Sequence, residues 1–410
     1  MTRRKFLRIG GYSSLGTIAL SKIAGCQSKP SIQEQIGSFR DIKGIQVSAA
    51  IPISHLSASW EYSADRPTIQ RAQRFLKLLD GLGTVNEAKS YRLFIPENPF
   101  LETCKFMSQL NEGNQRYSLN AHGLVWDNLG VISGSEPRMR EVKNIGTPQE
   151  RQQYVLNYAL RALEKILSCK SVKSVDILNE ILVLHGEEIP FGHKGIPIRG
   201  FDNGDGLIPD IETVALIYKT AKEKYPETEF ILNFANTLFK NHRGAEIKRK
   251  YVIETLKKLQ DLGGAPDIVG LQAHFLMTIK EAIQQVDEST IRNFIQEIRD
   301  LGFKVKITEF DFLSIDINKS VKFINKFLKA LREIEGFEFW GFETQAGGFL
   351  SKQFRKVYGR QKNGLNLALP GDAFNHPDFR YLYNTTDEFT EKNPLYKAYY
   401  LGLTLASSKS

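Results

Sequence analysis

Several features that would assign the chain to other functional classes are scarce or missing. No glycine-rich phosphate loop follows an early predicted strand, which disfavours an open dinucleotide-binding sheet. No cluster of basic residues is interleaved with aromatic residues, so the net charge of +9 does not indicate a nucleic-acid-binding protein. The 410 residues contain three cysteines, which excludes a disulfide-dense scaffold, and the spacing of the cysteines fits no metal-binding motif.

The positive charge is concentrated at the N-terminus. Five of the 55 basic residues and none of the 46 acidic residues lie within the first 25 positions. The stretch Thr2–Arg8 contains adjacent arginines, and the apolar run Ile9–Leu20 that follows is too short and too weak for a permanent membrane span. This pattern resembles a twin-arginine export signal, so we predict that residues 1–25 are a signal peptide.

A lipid anchor is predicted directly after this signal. Ile23-Ala24-Gly25-Cys26 resembles the lipobox of bacterial lipoproteins, in which the chain is cleaved before the cysteine and the thiol of Cys26 is acylated. Residues 26–40 are polar and would serve as a flexible tether. We therefore expect an exported lipoprotein, periplasmic or at the cell surface, that contacts the membrane only through its lipid. A disordered basic tail with an incidental cysteine is the alternative.

The other two cysteines are Cys104 and Cys169. An exported protein lies in an oxidising compartment, where a disulfide between them is permitted. The sequence does not show whether the two thiols meet. We expect a pair of unrelated buried cysteines.

Strand-like and helix-like stretches alternate through residues 41–406. Thr147 followed by Pro148 and Glu150 is a typical helix start. Close to eight strand–helix pairs predict a closed (β/α)8 TIM barrel, an α/β fold, with an open doubly wound sheet as the competing architecture. The first four predicted strands are Ile45–Ile51, Gly83–Lys89, Ser118–Trp126 and Val175–Glu180.

Polar side chains stand where the predicted strands end, which is the edge at which barrel active sites lie. Two apolar strands lead to a glutamate, Glu180 in one and Glu309 in the other. Two carboxylates that face one cleft are the arrangement that glycoside hydrolysis requires. The remaining strand-end residues bear amides, imidazoles, charges or indoles suited to a sugar, and they are Asn86, Lys89, His122, Trp126, Asn179, Asn233, Asn236, Gln272, His274, Asp311 and Trp340.

Six short motifs follow one another along the chain. They are Ala121-His122-Gly123-Leu124-Val125-Trp126, Val175-Asp176-Ile177-Leu178-Asn179-Glu180, Ile268-Val269-Gly270-Leu271-Gln272-Ala273-His274, Ile307-Thr308-Glu309-Phe310-Asp311, Phe339-Trp340-Gly341 and Lys392-Asn393-Pro394-Leu395-Tyr396-Lys397-Ala398-Tyr399. In order and spacing the set resembles glycoside hydrolase family 10, the β-1,4-xylanase family. The resemblance covers roughly Gly44 to Leu405.

The resemblance implies a retaining double displacement that needs no metal and no organic cofactor. Glu309 would be the nucleophile and Glu180 the acid/base, with carboxyl groups about 5–5.5 Å apart, as retaining enzymes require. Asn179 would bond the sugar 2-hydroxyl, Gln272 and His274 would orient the nucleophile and the substrate, and Trp340 would form an aromatic platform. The glycone side would be lined by Asn86, Lys89, His122 and Trp126, with Asn236 as a further substrate contact and Asp311 in support.

Departures from the family pattern keep alternative functions open. Val85 replaces the first glutamate of the family's E-N-x-M-K, and Asp127 replaces the histidine that follows L-V-W. The family pattern has a second tryptophan after the last strand, which this sequence lacks, and Phe349 is the candidate to replace it. The main expectation is a monomeric endo-1,4-β-xylanase acting on xylan-like polysaccharides or oligosaccharides. A retaining glycosidase or transglycosylase for another β-glycan and a non-catalytic glycan-binding lipoprotein are the alternatives.

Overall fold

The structure is a computed structural model that describes most of the chain after residue 37. The described residues are 38–57, 66–85, 87–94, 98–112, 116–126, 146–182, 210–241, 244–275, 277–312, 317–340 and 394–407. The predicted signal peptide, Cys26 and most of the tether lie outside them. Within these ranges, none of the helices combines the length and apolar character that a membrane crossing requires.

Strands and helices alternate along the described residues. The strands are β1 (Gln46–Ala50), β2 (Gly81–Gly83), β3 (Ser118–Ala121), β4 (Val125–Trp126), β5 (Val172–Asn179), β6 (Glu229–Phe234), β7 (Ile268–Phe275), β8 (Lys304–Phe312) and β9 (Gly336–Trp340). The helices are α1 (Arg66–Leu76), α2 (Ser90–Leu93), α3 (Pro99–Leu110), α4 (Pro148–Leu167), α5 (Ile211–Lys224), α6 (Ala245–Asp261), α7 (Ile279–Gln285), α8 (Glu288–Asp300), α9 (Ile317–Ala330) and α10 (Pro394–Ser407).

The strands close into a parallel barrel. They pair in the order β3-β2-β1-β9-β8-β7-β6-β5, and β5 pairs again with β3. The short strand β4 continues alongside β5 past the end of β3, with Trp126 opposite Asn179. Closure confirms the predicted (β/α)8 architecture and excludes the open sheet. All strand ends therefore converge on one rim, where a site can draw side chains from several strands.

Local signals in the sequence set many element boundaries. The side chain of Thr147 accepts from the backbone N–H of Glu150, whose carboxylate accepts from the backbone N–H of Thr147, and this capping box starts α4. Gly263 and Gly302 follow α6 and α8 with φ of +68° and +89°, the left-handed conformation that ends a helix and favours glycine. The predicted helix start at Thr147 is confirmed, and the two glycines account for where α6 and α8 end.

Two predicted strands are wrong in detail. The stretch 118–126 is two strands, because Gly123 has φ of +73° and breaks the extended backbone. The strand expected at 83–89 is β2, which ends at Gly83, and Lys89 lies beyond it at the start of α2. A Cβ at position 83 would clash with the carboxylate of Glu338, so any other residue there would have to displace that buried group.

The barrel interior contains a buried ion pair rather than apolar side chains alone. Nζ of Lys306 on β8 lies 2.9 Å from Oε2 of Glu338 on β9, and both side chains are at most 5% exposed. Ser48 from β1 donates to the same oxygen at 2.8 Å, and Asn120 from β3 donates to it at 3.4 Å. Groups from non-adjacent strands meet only inside a closed barrel, so this cluster packs the interior across its width.

Aromatic packing fixes the strand that carries the Glu309 carboxylate. Phe310 is buried against α9 and α10, with ring centroids 5.2 Å from Phe327 and 5.9 Å from Tyr399. Such contacts stabilise by about 0.5–1.5 kcal/mol each beyond area burial. They hold Phe310 on the outer face of β8 and thereby restrict the backbone next to Glu309.

The two predicted cysteines differ in burial. Both Cys104 and Cys169 are free, and Cys169 is buried as expected, whereas Cys104 is only partly buried.

Candidate active site

The backbone turns sharply where the two candidate carboxylates stand. Glu180 follows β5 directly, and Glu309 interrupts the register between β8 and β9. Their φ angles are +58° and +52°, and Asn236 beyond β6 has +59°. Left-handed backbone is uncommon for side chains with a Cβ and costs on the order of 1–3 kcal/mol at each position. Strain of this kind at strand ends is typical of functional residues that must point away from the regular pleat.

A chain of amides connects the two carboxylates. Nε2 of Gln272 donates to Oε1 of Glu180 at 2.9 Å and to Oδ1 of Asn179 at 3.1 Å. Nδ2 of Asn233 donates to the same Asn179 oxygen at 3.0 Å and to Oε1 of Glu309 at 2.7 Å. All five side chains are at least nine-tenths buried. The structure thus brings the predicted pair Glu180 and Glu309 into one network, with the predicted Asn179 and Gln272 between them.

Cations surround Glu309. Its Oε2 lies 2.9 Å from Nε2 of His274, and its Oε1 lies 3.5 Å from Nε2 of His122. Burial alone would raise the pKa of Glu309, but the charges of His122, His274 and Lys89 outweigh it and lower that pKa to about 2. The carboxylate is therefore ionised across the pH range in which proteins normally work.

The Nδ1 atom of each histidine lies next to a second carboxylate. Nδ1 of His122 lies 2.7 Å from Oδ2 of Asp176, and Nδ1 of His274 lies 2.9 Å from Oδ1 of Asp311. The first contact is a hydrogen bond, whereas the second lacks hydrogen-bond alignment and is a charge contact. Burial lowers the pKa of His274, but Asp311 and Glu309 raise it well above the usual value. The pKa of His122 is raised in the same way, by Glu309 and Asp176 against burial.

Lys89 lies close to both glutamates. Burial lowers the pKa of its ammonium group, and the charges of Glu309, Glu180 and Glu87 act in the opposite direction. Glu87 is itself buried and accepts hydrogen bonds from the backbone N–H groups of Ile53 and Val85, at 2.9 and 2.8 Å. Glu87 thus joins the segment after β1 to the segment after β2, from which Lys89 projects.

Trp340 ends β9 beside the histidines. Its ring is 4.9 Å from that of His122 and 5.8 Å from that of His274, both edge to face. The indole is partly exposed, as an aromatic platform for a sugar would need to be. The backbone of Trp126 pairs with that of Asn179, and Asn236 is buried beyond the end of β6. Asn86, Asp127 and Phe349 lie outside the described residues.

Sequence reasoning gave no role to three residues that the structure places in the site. Asn233 was noted only as a strand-end amide, yet it donates to Glu309 and accepts from Oγ1 of Thr308 at 2.6 Å. Asp176 lies in one of the six motifs but received no function there, and Glu87 was not singled out by the sequence. A signal was present for Asp176, since a carboxylate inside an otherwise apolar strand needs a buried partner.

The described residues contain no group of three or more His, Cys, Asp or Glu side chains that could hold a metal ion. The polar groups instead form pairs of imidazole and carboxylate, and they converge with amides and an indole on the rim of the barrel. A parallel barrel with two linked glutamates at the ends of two of its strands defines the class: this protein is a glycoside hydrolase.

The family follows from the sequence of the same region. The chain belongs to glycosyl hydrolase family 10, whose model matches residues 89–355. That range includes Glu180, Glu309 and the amides between them. The resemblance drawn from the six motifs is confirmed at the level of the family.

Solved structures share the fold. The chain is similar to a mutant of xylanase 10C from Cellvibrio japonicus in complex with xylopentaose, at 15% identity and a TM-score of 0.62, over 89% of this chain and 69% of that chain. It is also similar to a mutant of xylanase A from P. fluorescens subsp. cellulosa in complex with xylopentaose, at 16% identity and a TM-score of 0.56, over 89% of this chain and 97% of that chain. A third similar structure is xylanase 10B from Thermotoga petrophila in complex with xylobiose, at 18% identity and a TM-score of 0.55, over 75% of this chain and 86% of that chain. No curated protein sequence matches the chain.

Proposed function

We propose that the protein is a retaining endo-1,4-β-xylanase in which Glu309 is the nucleophile and Glu180 is the acid/base. The observation that carries the proposal is the unequal setting of two linked carboxylates. Glu309 is kept ionised by two histidines and a lysine, whereas Glu180 accepts from the neutral amide of Gln272 and interacts less strongly with the same lysine. A nucleophile must be ionised, and an acid must be able to hold a proton beside it.

The reaction divides into two displacements. In the first, an oxygen of Glu309 attacks the anomeric carbon, and the leaving oxygen takes the proton of Glu180 as the glycosidic bond breaks. In the second, Glu180 removes a proton from water, the water oxygen attacks the same carbon, and Glu309 leaves as the carboxylate. The network of Asn233, Asn179 and Gln272 fixes the two glutamates relative to each other, which reduces the entropy cost of reaching the transition state.

Substrate contacts follow from the rim of the site. Asn179 would bond the 2-hydroxyl of the sugar, and Trp340 would cover the apolar face of a ring. Lys89, His122, Asn86 and Trp126 would line the glycone side, with Asn236 and Gln272 as further polar contacts. Xylo-oligosaccharides bound to proteins of the same fold support a xylan-like substrate. We also propose that the enzyme acts as a monomer.

The decisive experiment is hydrolysis of soluble xylan by the full chain, kept in solution with mild detergent. Shortened xylo-oligosaccharides are expected from the parent protein and not from Glu180→Ala or Glu309→Ala. The exposed Glu212 lies on α5, and its Glu212→Gln variant is a matched control that should behave as the parent. Xylan cleavage by Glu309→Ala at the rate of the parent would overturn the assignment.

An aryl β-xylobioside with a good leaving group separates the two roles. Its first step needs no acid, so Glu180→Ala should still release the phenol in a burst, while Glu309→Ala should not. An equal loss of the phenol burst in both variants would contradict the assignment of Glu309 as nucleophile and Glu180 as acid/base. Binding of xylo-oligosaccharides without cleavage of any β-glycan would favour the non-catalytic glycan-binding lipoprotein, for which the loss of a subsite glutamate at Val85 is the motivating observation. Cleavage of another β-glycan only would identify the retaining glycosidase or transglycosylase alternative.

Export and anchoring form a separate part of the proposal. Residues 1–25 would be removed and Cys26 acylated, which would place the enzyme on the periplasmic or outer face of a membrane by its lipid. Incorporation of labelled fatty acid that is abolished by Cys26→Ser would support this. Equal labelling of parent and variant would overturn it.

A further inference from the structure

Five polar side chains form a layer inside the barrel, and the proposed reaction uses none of them. Oε2 of Glu338 accepts from Nζ of Lys306 at 2.9 Å and from Oγ of Ser48 at 2.8 Å. Nδ2 of Asn120 donates to the same oxygen at 3.4 Å, and Oδ1 of Asn120 accepts from Oγ of Ser174 at 2.9 Å. All five side chains are buried. The layer therefore joins β1, β3, β5, β8 and β9 by hydrogen bonds and one ion pair.

This interior layer lies directly beneath the active site. Side chains two residues apart on a strand point to the same face, and the chain rises about 3.3 Å per residue toward the rim. Four members of the layer each stand two positions before a residue of the site, and the pairs are Asn120 and His122, Ser174 and Asp176, Lys306 and Thr308, and Glu338 and Trp340. The ion pair is thus one layer below the contact between His122 and Asp176.

Asp176 is the group of the site that is most exposed to the charges below it. Its side chain is fully buried, and Oδ2 lies 2.7 Å from Nδ1 of His122. Oδ1 has no hydrogen-bond partner within the described part of the chain. A buried carboxylate with an unsatisfied oxygen needs positive charge nearby to stay ionised. Burial raises the pKa of Asp176, whereas His122 and then Lys306 lower it, and Glu338 raises it by a smaller amount than Lys306 lowers it.

Other titratable groups face the Asp176–His122 pair from the surrounding elements. Glu309 on β8 lies 3.5 Å from Nε2 of His122, and Lys89 acts on His122 from the segment after β2. Tyr218 on α5 faces Asp176, with its hydroxyl donating to the carbonyl of Ile231. Glu309 is faced in turn by His274 and Asp311. All of these groups stay unchanged when Lys306 or Glu338 is substituted.

We propose that Lys306 is a positioning residue for the reaction, with Glu338 as its opposing charge, and that it acts on Glu309 through Asp176 and His122. The proposal rests on the proposed function, in which Glu309 is the nucleophile. The ammonium group of Lys306 favours ionised Asp176, ionised Asp176 favours the imidazolium form of His122, and the imidazolium favours ionised Glu309. Glu338 holds the ammonium group in place and partly cancels its charge.

The test is an NMR titration of His122 in the full chain, kept in solution with mild detergent and labelled at its seven histidines. The His122 resonance is the one that is absent from His122→Asn. Lys306→Met should lower the pKa of His122 by about one pH unit, whereas Glu338→Gln should not lower it. Both variants break the same ion pair, so a merely structural role would move the pKa in the same direction in both. A pKa of His122 that is unchanged in Lys306→Met, or lowered equally in both variants, would overturn the proposal.

A double variant keeps the test decisive if a single variant does not fold. Each single substitution leaves a buried charge unpaired and lowers stability, whereas Lys306→Met combined with Glu338→Gln removes both charges at similar volume. Because Lys306 outweighs Glu338 at Asp176, the double variant should have a His122 pKa below that of the parent. A pKa equal to that of the parent would overturn the proposal.

The pH dependence of kcat/KM on an aryl β-xylobioside supplies a second measurement. Its acid limb should move upward by about half a pH unit in Lys306→Met and should not move upward in Glu338→Gln. A loss of amplitude without movement in Lys306→Met would assign the ion pair to packing alone and overturn the proposal. The titration of His122 needs no hydrolysis, so absence of glycosidase activity would defeat the proposed function and would be distinguishable from failure of this inference.

Discussion

At the end of β8 the carboxylate of Glu309 faces two imidazoles and a lysine, whereas at the end of β5 Glu180 accepts from the neutral amide of Gln272. The backbones are alike, since both glutamates have left-handed φ and both are buried. Lys89 interacts more strongly with Glu309 than with Glu180. The comparison teaches that the strand-end geometry brings two carboxylates together, while the charged neighbours make them unequal. Four predictions test this difference.

The largest effect is expected when the charge at the end of β8 is removed. Glu309→Gln should lower kcat/KM for xylan by about 10⁴-fold, because a neutral amide cannot form the glycosyl-enzyme. Steady-state kinetics of the variant beside Glu212→Gln measures this. A loss of less than tenfold would mean that Glu309 is not the attacking group.

The same substitution should change how stability depends on pH. The pKa of Glu309 lies near 2 in the folded state, below the unfolded value of about 4.3. A depressed pKa contributes stability that is present above the unfolded value and is lost as the pH falls from there toward 2. The contribution at neutral pH is on the order of 3 kcal/mol.

Urea unfolding of the parent and of Glu309→Gln measures this contribution. The difference in the free energy of unfolding between the two proteins should decrease by about 1 kcal/mol as the pH falls from 6 to 3.5. A gap that is constant over that interval would show that the carboxylate is not held ionised by its neighbours.

Removing one cation should make the two strand ends more alike. His274→Asn takes away a charged hydrogen bond to Glu309, so the pKa of Glu309 should rise and kcat/KM should fall by about 10²-fold. The acid limb of the pH–activity profile should move upward by about one pH unit. A profile that falls in amplitude without moving would assign His274 to packing rather than to the ionisation of Glu309.

The smallest effect is expected from the other strand end. Gln272→Leu removes the donor to Glu180 and should lower kcat/KM on xylan by about tenfold, with a smaller loss on an activated aryl xylobioside. The acid limb should stay where it is in the parent, because the cations around Glu309 are intact. An upward shift equal to that of His274→Asn would erase the distinction between the two ends.

Much of the fold was predictable because its signals are local. The capping box at Thr147 and the glycines at 263 and 302 act within one turn of their helices. The split of 118–126 at Gly123 was missed, since a glycine inside an apolar run does not reveal the sign of its φ. The helices α2 and α7 were not predicted, because elements of 4 and 7 residues carry too few apolar residues for a clear period. The longer helix α3 was also missed.

The candidate site shows the same contrast between residues that local sequence signals predict and residues that they do not. Glu180, Asn179, Gln272, His274 and Glu309 were predicted, since each lies near the C-terminal end of a predicted strand in a matched motif and parallel strands of a barrel end on one rim. Asn233, Asp176 and Glu87 were missed as parts of the site, because their roles lie in contacts to other strands. The interior pair Lys306 and Glu338 likewise has no sequence signature.

The sequence by itself determined the alternation of strands and helices, the family, and the pair of glutamates, because these depend on periodicity and on short motifs. Only the tertiary structure decided which groups surround each carboxylate, and so which glutamate is held ionised. The reason is physical: charge interactions act over a few ångströms in space, and closure of the barrel sets those distances between residues far apart in the chain.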